Sequence, residues 1–320
     1  MSIDPLDPRR NAIRDDLADI RLQGKVERPR YAEPVRRVVA VPSARCHTAP
    51  ALGAFDTEFL YGEAVDVFDV LGGKASASHA DENGHIAPGD WSWVQSAVDG
   101  YVGYVRTDFL GDPDGEATHE VLVPRGVVYE DLTIKQGFLG HLPLGARVSV
   151  SEFVHQGEHF ARLGQHKRTI EPRGERGPWD RPTANAYLLT QHLSPLGGVP
   201  DDWVAIAELF IGTPYVWGGK TWEGIDCSGL VQLALQGTGR QAPRDSDMQS
   251  YELGEALPAD TKLQRGDLVF WRGHVGIMVD DEQCLHANGH HMLTAVEPLS
   301  QTIERLGKMG LEVTVRRRIT

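Results

Sequence analysis

Three residues in the C-terminal third of the chain have the types and spacing to break an amide bond: Cys227, His274 and His286. Cys227 follows Asp226 and opens the run Cys227-Ser-Gly-Leu-Val-Gln-Leu-Ala-Leu-Gln236, whose apolar spacing predicts a helix ended by Gly237. Asp226 is a natural N-cap. Unpaired N–H groups and the positive dipole end at a helix start favour a thiolate, so Cys227 is expected to be an activated nucleophile. A lone cysteine elsewhere is ordinarily a small buried hydrophobe, and that is the expectation for Cys46 and Cys284.

His274 comes after Asp267-Leu-Val-Phe-Trp271 and a two-residue Arg272-Gly273 link, and His286 lies twelve residues further on. The midpoint falls in Asp280-Asp281-Glu282, the expected hairpin tip. Even spacing about that tip puts both rings on one face and close together. One imidazole can then act as base while the other orients it. His290 and His291 are expected to be ordinary surface histidines. A zinc site made of Cys227, Cys284, His274 and His286 is disfavoured, because the chain has no short ligand pair and Cys227 heads a helix with no second ligand nearby. No metal or cofactor is expected.

These side chains need a scaffold, and the pattern predicts a multidomain one. Residues 1–35 read as an N-terminal extension, with at best a short amphipathic helix over 11–22. Residues 36–115 and 116–182 show short alternating strands, such as Ala64-Val-Asp-Val-Phe-Asp-Val70 and Gly100-Tyr-Val-Gly-Tyr-Val105, separated by Gly, Asp and Pro turns. Two small all-β barrels in series are the economical reading. Residues 183–200 read as a linker, with a helix possible over 184–192. Residues 201–320 read as α+β, with helices at 203–210 and 227–236 and three strands at 267–271, 274–279 and 283–287.

The formal net charge is −13, from 32 basic and 45 acidic residues, and the basic clusters are short and scattered, which argues against a nucleic-acid partner. No apolar run is long enough to span a membrane, so no membrane partner is expected. The N-terminus lacks a basic segment followed by an apolar one, and three widely separated cysteines make no disulfide framework. A reducing, cytoplasmic location is the expectation.

Five ordered pieces carry a resemblance: Tyr215-x-Trp-Gly-Gly, Asp226-Cys-Ser-Gly-Leu-Val, Gly266-Asp-Leu-Val-Phe-Trp, His274-Val-Gly-Ile and His286-Ala. On them, residues from about 200 to 310 resemble the NlpC-type family of bacterial cell-wall cysteine peptidases. Thr57-Glu-Phe-Leu-Tyr-Gly-Glu63 and Asp99-Gly-Tyr-Val-Gly-Tyr-Val105 are similar to the bacterial SH3-like pair that precedes this peptidase in one cytosolic subgroup. The resemblance implies a papain-like fold and hydrolysis of the γ-D-glutamyl amide to a diamino acid in peptidoglycan-derived peptides. It implies Cys227 as nucleophile, His274 as base, His286 as orienter, and the Tyr215 phenol with the Cys227 N–H as oxyanion donors. It implies substrate contacts from Asp226, Ser228, Arg244, Asp245 and Ser246, with Arg244 and the serines on the D-Glu α-carboxylate and Asp245 on a free ammonium. Glu63 and Tyr101, or Tyr104 in place of Tyr101, are the implied amine-binding groups of the first SH3-like domain.

Overall fold

The computed structural model describes residues 4–72, 91–113, 115–135, 137–156, 158–164, 185–197 and 201–319. The chain divides into two compact units, residues 4–196 and residues 197 onward.

The first unit is built from strands. One five-stranded antiparallel sheet orders Val102–Arg106, Trp91–Ser96, Ala64–Leu71, Val35–Val39 and Leu110–Gly111. A second orders Phe138–Pro143, Arg125–Tyr129, Tyr187–Leu189, Glu158–Leu163 and Val150–Gln156. Each sheet has its own core, around Val39, Phe59, Val94 and Val105 in the first and Val128, Leu142, Val148 and Leu188 in the second. β-Branched and aromatic side chains suit such pleated, half-buried surfaces.

Two expectations fail here. The helix expected over 11–22 is instead a strand, Leu17–Asp19, and a short 3-10 turn, Ile20–Leu22. Ala12 and Leu17 bury against Phe68 and Trp93, so this part of the expected extension belongs to a core. Arg14 holds it there, stacking 4.9 Å over the Trp93 ring and pairing with Asp69 at 2.5 Å. Within the expected linker, Tyr187–Leu189 and Leu193–Pro195 are strands joined by a short 3-10 turn, Thr190–His192, and no α-helix covers 185–192. The reason is burial: Leu188 is fully enclosed, and its strand fills the place between Arg125–Tyr129 and Glu158–Leu163. Residues 165–184, which include Trp179 and the end of the expected second barrel, lie outside the described residues.

In the second unit the helices are α1 (Trp203–Glu208), α2 (Cys227–Gln236), α3 (Ser246–Glu252) and α4 (Leu299–Gly307). Besides a two-stranded hairpin, Lys220–Thr221 with Gly224–Ile225, the strands are β1 (Glu255–Ala256), β2 (Asp267–Trp271), β3 (His274–Met278), β4 (Gln283–Asn288), β5 (Leu293–Pro298) and β6 (Val313–Arg318). β1 to β6 form one sheet in the order β1-β6-β2-β3-β4-β5, in which the three expected strands, β2, β3 and β4, lie side by side and three more are added. Val269, Trp271, Met278 and Cys284 face one way and pack with Leu299, Ile303 and Leu306 of the α4 region. The alternate residues Leu268, Phe270, Val275, Ile277 and Leu285 are also buried, and α2 packs against β3 and β4. Both faces are therefore covered, which explains the unbroken apolar run in β2. No helix among the described residues is long and apolar enough to cross a membrane.

Candidate active site

Cys227 is the first residue of α2. Asp226 caps the helix, accepting from the Gly229 N–H at 2.7 Å, and also accepts from the Gly218 N–H at 2.8 Å. Gly229 has to be small: a Cβ there would lie 2.6 Å from the Gly219 carbonyl oxygen. The 216–219 loop thus packs directly on the helix start and presses it into place.

His274 leaves a tight turn. Trp271 pairs with His274 across the two-residue Arg272-Gly273 link, with Gly273 at φ +77°. The N–H of Val275, the next residue, donates to the Cys227 sulfur, as does the Ser228 N–H. His274 Nε2 lies 2.8 Å from His286 Nδ1. The chain therefore brings Cys227, the His274 strand and His286 together at one point of the sheet.

The register differs from expectation. Ile277 pairs with Leu285 and Met278 with Cys284, which continued by one step sets His286 opposite Gly276, so the two histidines meet on the diagonal. Gly276 makes this fit possible. A Cβ on it would lie 2.4 Å from Cys284 Sγ and 3.8 Å from the His286 Cβ.

The charge states also correct the expectation of a preformed thiolate. Burial pushes the Cys227 thiol up to about 12, with the Asp226 charge adding to it, and the two N–H donors to sulfur do not offset this. Burial lowers His274 to about 3, with the neighbouring His286 and Arg305 contributing. At rest the thiol and the imidazole are both neutral. Burial, with Cys227 and Asp226 nearby, also raises the Tyr215 phenol, so it remains an O–H donor. The Tyr215 backbone is fixed by its N–H, which donates to the Met292 carbonyl at 3.0 Å.

Arg244 does not present its guanidinium to solvent. It is 1% exposed and clamps Asp226, Nη1 to Oδ1 at 2.9 Å and Nη2 to Oδ2 at 2.6 Å, with Nη1 also 2.9 Å from Ser228 Oγ. The guanidinium expected on a substrate carboxylate is thus already paired with the carboxylate that caps α2, in a charge-assisted two-pronged bond. Asp245 occupies the N-cap position of α3 and Ser246 is its first residue. Gln249 joins this segment to α2, donating to the Ser228 and Pro243 carbonyls at 2.9 and 2.8 Å.

Glu63 and Tyr101 are in the first unit and are both buried. Tyr101 is part of its first core, and Glu63 sits at the turn before Ala64–Leu71, its N–H donating to the Leu60 carbonyl at 3.0 Å. The alternative, Tyr104, is half-buried and pairs through its backbone with His47. Cys46 and Cys284 are buried, as expected. Among the described residues no cluster of His, Cys, Asp or Glu could hold a metal ion.

Sequence reasoning missed Gly276, Gln249 and the groups behind His286, namely Glu297, Thr302 and Arg305. Gly276 stands inside the His274-Val-Gly-Ile motif, and a glycine within a strand pattern was the available signal of a close approach there.

Residues 212–305 match the NlpC/P60 family. The chain is 30% identical over 141 residues to the γ-D-glutamyl-L-lysine dipeptidyl-peptidase of Bacillus cereus, covering 42% of this chain and 41% of that protein. It is 33% identical over 115 residues to the probable endopeptidase NlpC of Escherichia coli, covering 33% of this chain and 70% of that protein. The alignment thus spans about two fifths of the Bacillus relative's length. A solved NlpC/P60 family protein from Bacillus cereus superposes with a TM-score of 0.66 at 20% identity, over 89% of this chain and 99% of that one, which shows a shared fold.

Proposed function

Since the chain belongs to the NlpC/P60 family, we propose that it is a cysteine peptidase that hydrolyses the γ-D-glutamyl–diamino acid amide of peptidoglycan-derived peptides. The observation that supports this most is the join of Cys227 to the His274–His286 pair, through the Val275 N–H on sulfur and the 2.8 Å imidazole contact. A thiol held on the strand that begins at a base, with an orienter bonded to that base, is the set of groups that acyl transfer to sulfur needs.

In this reading His274 takes the Cys227 proton as sulfur attacks the γ-carbonyl. The oxyanion is held by the Cys227 N–H and the Tyr215 O–H. His274 then returns the proton to the leaving amine of the diamino acid. Water, deprotonated by His274, cleaves the thioester and restores the thiol. Starting from neutral partners, proton transfer accompanies attack. Ser228, Asp245 and Ser246 are the substrate contacts, and Arg244 supports them through Asp226 and Ser228.

We read the two β-sheet regions of the first unit as SH3-like domains, and Glu63 and Tyr101 as recognising an unblocked N-terminal L-Ala. The substrates are then free peptides, hydrolysed in the cytoplasm as part of wall turnover. The Bacillus relative's name, a dipeptidyl-peptidase, favours this end-reading mode. The Escherichia relative's name favours an endopeptidase acting within longer wall peptides as the second reading.

Incubation with L-Ala-γ-D-Glu carrying L-Lys or meso-diaminopimelate should release L-Ala-D-Glu, and Cys227→Ala should abolish release. Acetylating the L-Ala amine should suppress it as well. Equal release by Cys227→Ala would refute the proposed chemistry, and loss of turbidity of intact sacculi with no cleavage of the tripeptide would favour the second reading.

A further inference from the structure

Behind His286 lies a buried carboxylate that touches neither Cys227 nor His274. Glu297, on β5, places Oε1 2.9 Å from His286 Nε2. The same oxygen accepts from Thr302 Oγ1 at 2.8 Å and from Arg305 Nη2, and Oε2 accepts from Arg305 Nη1 at 2.9 Å. We infer that Glu297, held by Thr302 and Arg305 of α4, is a positioning residue that sets the protons on both histidines and so turns the bare nitrogen of His274 towards the thiol.

The reasoning is a count of donors and acceptors. A carboxylate only accepts, so His286 Nε2 carries a hydrogen. A neutral imidazole has one N–H, so His286 Nδ1 is bare and must accept. The contact at 2.8 Å then requires the hydrogen of His274 to be on Nε2. The remaining nitrogen, His274 Nδ1, is bare and is the only ring atom able to take the Cys227 proton. Burial supports the count by lowering both histidines, so that each ring is neutral at rest. When His274 becomes an imidazolium, its Nε2–H still donates along the same line, towards the negative charge of Glu297. The other titratable and charged groups near this line are His291 on the turn before β5, Cys284 on β4 and Arg305 on α4. Arg305 offsets part of the Glu297 charge and fixes the carboxylate plane by holding both oxygens.

The effect on turnover rests on the peptidase reading, whereas the proton arrangement does not. Two measurements separate the two. In the unaltered protein, long-range 1H–15N spectra of the imidazoles should show His274 and His286 both protonated on Nε2. A His274 proton on Nδ1 overturns the inference, whatever the substrate. Glu297→Met removes the acceptor at similar size. It should lower kcat by about 10²–10⁴-fold, the size of a general-base contribution, with KM unchanged. It should also slow iodoacetamide labelling of Cys227 at neutral pH, read by mass spectrometry of the α2 peptide. Glu297→Gln should fall less, because its amide oxygen still accepts from His286. An unaltered kcat and labelling rate in folded Glu297→Met, or a change confined to KM, would overturn the inference. Slowed labelling with no peptide hydrolysed by the unaltered protein would uphold it and remove the peptidase reading instead.

Discussion

Replacing Arg244 by Met separates a structural clamp from a substrate contact. The guanidinium makes three bonds at 2.6–2.9 Å and is 1% exposed, while its partner Asp226 is 6% exposed. Without Arg244 the carboxylate keeps the Gly218 and Gly229 N–H groups and a long bond from the Ser228 hydroxyl at 3.4 Å. Removing one partner of a buried pair costs about 3–5 kcal/mol, because the other charge stays behind uncompensated. The surviving bonds, two from N–H groups and one from the hydroxyl, point to the low end, about 3 kcal/mol. For a unit beginning at residue 197 and of some 120 residues, each kcal/mol moves Tm by about 3–5 °C, so the expected fall is about 10 °C. The assay is thermal unfolding of the whole chain, with hydrogen exchange of the α2 peptide identifying the transition that moves. Asp226→Asn combined with Arg244→Met should lose less than the sum of the singles, by about 1–3 kcal/mol, since the orphan charge is gone. An Arg244→Met protein with unchanged Tm and a raised KM would refute the clamp and restore a direct grip on substrate.

Gly276→Ala should destabilise the second unit by about 1–3 kcal/mol, by forcing Cβ against Cys284 Sγ, and should lower kcat by displacing His286; unaltered unfolding and turnover would refute that packing. The stability of the second unit should fall with acid. His274 drops from 6.5 to about 3 on folding and Glu297 from 4.5 to about 2, so the unfolded chain binds more protons between those values. His274 carries no penalty above pH 6.5 and a growing one as pH falls towards 3, whereas the Glu297 contribution is present above pH 4.5 and lost as pH falls towards 2, so a flat unfolding profile from pH 7 to 4 would refute the His274 shift. Cys227 rises from 9.0 to about 12, so the opposite loss should appear as pH climbs from 9 to 12. On the amine-recognition proposal, Glu63→Gln should raise KM for the free tripeptide and leave KM for its N-acetyl form unaltered, measured by initial rates on both.

The residues proposed for catalysis were readable as candidates because the signals that mark them are local. A helix start identifies Cys227, and a two-residue turn followed by a strand identifies His274. The histidine register was not readable to the residue, because the turn is made by a side chain. Asp280 Oδ1 accepts from the Glu282 and Gln283 N–H groups, and Val279 N–H donates to the Gln283 carbonyl, which centres the hairpin one residue later than a symmetric tip at 280. A glycine opposite His286 absorbs that shift, so the two histidines still meet in a register that spacing alone misplaces. Glu297 was hidden for a different reason. Its partners come from β4 and α4, and a glutamate on an alternating strand at a sheet edge reads as a solvent-facing residue. The same limit applies to residues 11–22: apolar residues at 13, 17, 20 and 22 fit a helix, but the contacts that decide, Arg14 with Trp93 and Asp69, lie more than fifty positions away. Periodicity reports which face of an element is apolar, and in both cases the outcome was decided by which charged side chain from a distant strand or helix the fold brings against it.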